Sequence, residues 1–207
     1  LSETISNCVN NGRINGSLNV GGIVGYSASK GISNCKNYAT IRGGDNVGGI
    51  VGESSNGTIS SCINNGSISG TNDNLGTDTD TIEDDPYTGT GGIVGKLLNC
   101  SLEKSYNSGQ IKGRSNVGGI AGVNSKSEIN YSYNKGKIIS EEMTFGNAGG
   151  ICGFGSGASI NGCYNIGTIR GRSCFAGIIG RVTGTNTKEN ISYCYNAGTF
   201  EEVNALI

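Results

Sequence analysis

The chain reads NVGGIVG at Asn46 to Gly52 and NVGGIAG at Asn116 to Gly122, nearly the same seven residues twice. The second Gly of each pair recurs at Gly22, Gly49, Gly92, Gly119, Gly150 and Gly177, in steps of 27, 43, 27, 31 and 27 residues. Ile always follows: Ile23, Ile50, Ile93, Ile120, Ile151 and Ile178. The second half of the unit is as regular. ISNCKNYATI from Ile32, ISSCINNGSI from Ile59, INGCYNIGTI from Ile160 and ISYCYNAGTF from Ile191 align, and ISNCVNNGRI from Ile5 opens the series. A 27-residue unit therefore spans residues 1–207 as a single domain, with insertions at 71–90 and 139–146.

Apolar runs bounded by Gly and Asn, with no 3.6-residue period, predict about three strands of four to six residues per unit and no helix. Such a unit cannot bury an apolar face alone, but stacked coils can, each pairing with its neighbours at about 4.8 Å per turn. The fold class predicted is an all-β, β-solenoid: a right-handed parallel β-helix of about seven coils, roughly 30 to 35 Å long. A propeller blade needs roughly 40 residues or more, so 27 is too short.

Two columns would hold the register. Asn10, Asn37, Asn64, Asn107, Asn134, Asn165 and Asn196 recur once per unit, as expected of stacked side-chain amides. Two residues on, Gly12, Gly66, Gly109, Gly136, Gly167 and Gly198 suggest a turn with positive φ, Ala39 being the exception. The Ile23 column should point inward. Strict alternation would then turn Val20, Val24 and their equivalents to the opposite face, so either that face is covered or the parity changes at a bend.

GIVG at Gly22, Gly49 and Gly92, GIAG at Gly119, GICG at Gly150 and GIIG at Gly177 resemble the GLUG motif, over almost the whole chain. The resemblance implies an extracellular bacterial protein, cell-surface or secreted, since such repeats occur in large surface proteins and in non-catalytic regions of IgA-cleaving metallopeptidases. It brings no peptidase with it. The HExxH zinc motif needs His, and the chain has none.

Zero His also excludes the common Ser/His/Asp and Cys/His arrangements within this chain. With 38 Gly, a net charge of -1 and no long basic run, no nucleic-acid partner is indicated. No apolar stretch approaches the roughly 18 residues of a membrane span, and the chain opens on Leu1 like a piece of something longer. The insert TNDNLGTDTDTIEDDPYTG, Thr71 to Gly89, is acidic. Its Asp73, Asp78, Asp80 and Glu83 are candidate calcium ligands, although the ordered EF-hand spacing is missing and a solvated excursion is the simpler reading. No other cofactor is indicated.

Cys8, Cys35, Cys62, Cys163 and Cys194 share one position, with Ser105 and Ser132 in the missing rungs. A position that accepts Cys or Ser is small and inward, and parallel Cβ vectors disfavour disulfides, so free buried thiols are expected. Cys100, Cys152 and Cys174 lie outside the column. Arg42, Lys112 and Arg170, with Arg114 and Arg172 two residues beyond the latter two, form a cationic edge interrupted by Ser69 and Ile139.

Six of the nine Tyr flank the Cys/Ser column in the last four coils: Tyr106, Tyr133, Tyr164 and Tyr195 just after it, Tyr131 and Tyr193 just before. If Cys and Asn face inward, these rings face outward as an aromatic strip on which a sugar ring can pack. The simpler reading is that neighbouring rings only stabilise the sheet. The sequence thus reads as a non-catalytic structural or adhesive module joined to flanking domains, with a glycan or host protein as ligand. The alternative is a β-helix enzyme that cleaves polysaccharides with the carboxylates of the insert.

Overall fold

A computed structural model describes residues 4–71, 88–141, 146–183 and 189–202. Among them there is no helix, and every strand pairs in parallel with its counterpart one coil away. The result is a β-solenoid. Three sheets hold seven strands and two hold six, so six complete turns are followed by the first three strands of a seventh.

Each complete coil contains five strands of two to five residues, not three longer ones. In the third coil these are Thr58–Ser60, Ile63–Asn64, Ile68–Gly70, Gly89–Gly91 and Val94–Leu98. Here they define the first to fifth sheets. Two of the breaks lie at left-handed corners, which are cheap for Asn and Gly and rarer for other residues. One corner column is Asn7, Asn34, Ser61, Lys104, Tyr131, Gly162 and Tyr193, with φ from 49° to 63°. A second, after the fifth sheet, is Ser29, Asn56, Asn99, Lys126 and Gly157.

The interior consists of two apolar ladders. One contains Ile32, Ile59, Ile93, Ile120, Ile151 and Leu97 with the column cysteines Cys35, Cys62 and Cys163, and with Cys8 and Cys194 packed against it at the two ends; the other contains Ile41, Val47, Ile68, Ile111, Val117, Ile138 and Ile169. The expected inward Ile column is correct, since Ile50, Ile93, Ile120 and Ile151 are fully buried. Parity does change at a bend. Gly49 and Ile50 form it, so Ile50 and Val51 enter the first ladder while Val47 enters the second.

At this bend the glycines allow backbone to meet backbone. A Cβ on Gly48 would lie 2.0 Å from the carbonyl O of Val51, and one on Gly52 would lie 2.3 Å from the carbonyl C of Asn19. The column from Gly66 to Gly198 has the same cause rather than positive φ. A Cβ on Gly66, Gly109 or Gly136 would lie 1.9 Å from the carbonyl O of the preceding coil.

Candidate functional site

The second sheet carries the residues singled out by their spacing. Each strand has two residues, and the second is Asn, buried in the five inner coils. Nδ2 of each Asn donates to Oδ1 of the next, from Asn10 to Asn196, at 2.7 to 2.8 Å. The remaining valences close locally: Asn107 Oδ1 accepts the N–H of Gly109 at 3.2 Å, and its Nδ2 donates to the Gly109 carbonyl at 2.8 Å. An inner rung thus uses both donors and both acceptors of a primary amide. No other side chain of this length has that set.

The Cys/Ser column begins immediately after the first corner. The Cys62 thiol donates to the Ser60 carbonyl at 3.3 Å, and the Ser105 hydroxyl donates to the Glu103 carbonyl at 2.9 Å. Ser105 Oγ in turn accepts the Cys62 N–H at 3.0 Å. Thiol and hydroxyl therefore perform one task, to donate to the carbonyl two residues earlier at a left-handed corner. Cys100 repeats it at the second corner, donating to Leu98 at 3.2 Å, with Ser127 beneath it donating to Ser125 at 2.8 Å. The dipeptide Asn99–Cys100, which repeats Asn7–Cys8 and Asn34–Cys35, was the available sequence signal.

All eight cysteines are free, and Cys174 alone is exposed. Burial pushes the thiols of Cys62, Cys152 and Cys163 up to about 12. Cys152 occupies the apolar position of Val51 in the fifth sheet, whereas Cys174 takes the place of Asn147 in the fourth.

The first residue of each second-sheet strand faces outward. Here Tyr106, Tyr133, Tyr164 and Tyr195 stack in sequence, with centroids 4.9, 4.7 and 5.1 Å apart and ring planes within 6° of parallel. Lys135 Nζ lies 5.1 Å from the Tyr133 centroid and 5.8 Å from that of Tyr106. Parallel rings at this separation form an offset stack. Facing ring surfaces are turned toward each other, so the ladder offers solvent chiefly edges and hydroxyls.

Tyr131 and Tyr193 do not belong to this ladder, which corrects the expected six-ring strip. They are corner residues, at φ 49° and 53°, and simple alternation fails there. Tyr131 is 60% and Tyr193 90% exposed. Gly162 holds the same corner in the coil between them, and the Tyr131 ring fills the space that a Gly162 Cβ would enter, its Cδ1 2.8 Å from that point.

Arg42, Lys112 and Arg170 fall into one column of the third sheet, where Arg42, Ser69, Lys112, Ile139, Arg170 and Glu201 stand in register, while Arg114 and Arg172 lie just past the ends of their strands. Lys112 pairs with Glu141 at 2.9 Å and Lys137 with Glu201 at 2.6 Å, both solvent-accessible. Asp73, Asp78, Asp80 and Glu83 lie outside the described residues. Among the described residues no group of three or more His, Cys, Asp or Glu is placed to hold a metal.

No protein-family model, curated protein or solved structure matches this chain.

Proposed function

We propose that the chain is a non-catalytic structural module of a larger bacterial cell-surface or secreted protein, a GLUG-type rod that separates flanking domains and offers its outer face to a glycan or protein ligand. The observation carrying this reading is the amide ladder, in which each inner coil is completed by its two neighbours alone. A rod assembled from such contacts can be lengthened or shortened by whole coils without redesigning the rest.

Removal of Ile93 to Gly119 joins Gly92 to Ile120 and should leave a folded rod about 4.8 Å shorter by small-angle scattering. Loss of all sheet signal would contradict the rod reading. Depolymerisation of a polysaccharide by the purified chain, with or without Ca²⁺, would instead favour the lyase or hydrolase reading.

A further inference from the structure

Stability accounts for one group of tyrosines and not for the other. Tyr106, Tyr133, Tyr164 and Tyr195 occupy ordinary strand positions and stack on one another. Tyr131 and Tyr193 occupy left-handed positions that cost a bulky L-residue conformational energy, and that Asn7, Asn34 and Gly162 fill more cheaply in other coils. Tyr131 recovers some contact over Gly162. Tyr193, 90% exposed, recovers almost none.

We infer that Tyr131 and Tyr193, with Gly162 between them, form a binding site for an uncharged hexopyranose unit of a glycan chain, an inference that rests on the ligand-bearing reading of the rod. The two corner residues stand two coils apart, about 10 Å along the axis, and the Tyr131 ring leans over Gly162 between them, a rung with no side chain of its own to displace it. A pyranose has an apolar C–H face that packs on an aromatic ring and a rim of hydroxyls that needs hydrogen-bonding partners. Both are available here. Asn130, Asn161 and Ser192 precede the three corner residues and stand in register. Ser192 Oγ donates to Asn161 Oδ1 at 3.2 Å, while Asn161 Nδ2 has no partner among the described residues.

The choice of an uncharged sugar follows from Glu128, whose carboxylate accepts from Asn130 Nδ2 at 3.4 Å and would repel an anionic one. The four-ring ladder, with its faces turned inward along the stack, is the support beside this site.

The test is binding of the parent chain and of the double variant Tyr131→Asn/Tyr193→Asn to uncharged cello-, chito-, malto- and manno-oligosaccharides, with melting temperatures measured in parallel. Asn is already a resident of this corner column, so the variant should fold and melt no lower than the parent. At least one oligosaccharide should bind the parent and bind the variant about tenfold more weakly or worse, the effect of losing two ring contacts. Undiminished binding by this variant, together with loss in Tyr133→Ser/Tyr164→Ser, would overturn the corner site and leave the broader ligand-bearing reading standing. Binding of none of these sugars by the parent would overturn the site, and so would a lower melting temperature in Tyr193→Asn, because that ring would then serve the fold. Neither result would touch the rod reading, which the coil deletion tests separately.

Discussion

Asn64 Nδ2 donates to Asn107 Oδ1 at 2.7 Å although 43 residues separate them, the same distance as between Asn37 and Asn64, which are 27 apart. The 16-residue excess is therefore accommodated without altering the rung. Thr71 N–H is held by the Gly43 carbonyl at 3.0 Å, and Gly89 N–H by Asn46 Oδ1 at 3.3 Å, one on each side of the insertion. Excision of residues 72–87 should leave the rod folded and its stability unchanged or higher by about 1 kcal/mol, since a long closed loop carries an entropic cost. Chemical denaturation checks this, and a large loss would mean that the insertion is part of the stack.

Asn107→Ala should be among the most damaging single changes. It removes one of the two bonds made by Asn64 Nδ2 and one of the two made by Asn134 Oδ1, and strands both backbone groups of Gly109. At roughly 1 to 3 kcal/mol per buried unsatisfied group, with some relaxation, the expected loss is about 3 to 5 kcal/mol. Asn10→Ala, at the partly exposed end rung, should cost less than half as much in the same unfolding experiment.

An inner and an end position of the Gly column should respond differently to Ala. A Cβ on Gly109 would lie 1.9 Å from the Gly66 carbonyl O, whereas one on Gly12 would meet nothing nearer than Asn10 Oδ1 at 3.8 Å. Gly109→Ala is expected to cost at least about 3 kcal/mol, and Gly12→Ala to stay within about 0.5 kcal/mol of the parent. Equal melting temperatures for the two would refute the close-approach account.

Burial of Cys62, Cys152 and Cys163 raises each thiol from 9.0 to about 12. A raised acid binds its proton more tightly in the folded state, so the associated stability is complete below pH 9 and is lost as pH climbs toward 12. Unfolding free energy should fall across that window, and alkylation of the native chain at pH 8 should label Cys174 first. Cys163→Ser should cost less than about 1 kcal/mol, because Ser105 and Ser132 already make the same bond. Rapid native labelling of Cys163 would contradict this.

Tyr133 lies between two stacked partners, so Tyr133→Ser removes two contacts of about 0.5 to 1.5 kcal/mol each, or about 1 to 3 kcal/mol in all. Tyr195→Ser removes one and should cost about half as much. Desolvation and then the neighbouring phenol raise the Tyr133 hydroxyl, so the ladder's contribution should weaken as alkali ionises it. Absorbance titration of the phenols against far-UV circular dichroism measures both.

The 27-residue spacing by itself determined that the chain is a stack of parallel coils, because a unit with so little apolar surface is stable only against copies of itself. It also determined the two ladders that keep register, Asn64 with its equivalents and Cys62 with Ser105. Only the tertiary structure decided where the chain turns. Asn7, Ser61, Lys104, Gly162 and Tyr193 all occupy one left-handed corner, so no residue type marks it and strict alternation carries Tyr131 onto the wrong strip. The role of Gly109 was hidden for a related reason. Its lost Cβ makes room for the backbone of Gly66, 43 residues away in sequence, and positive φ and close approach both leave a Gly in the sequence until the coils are stacked.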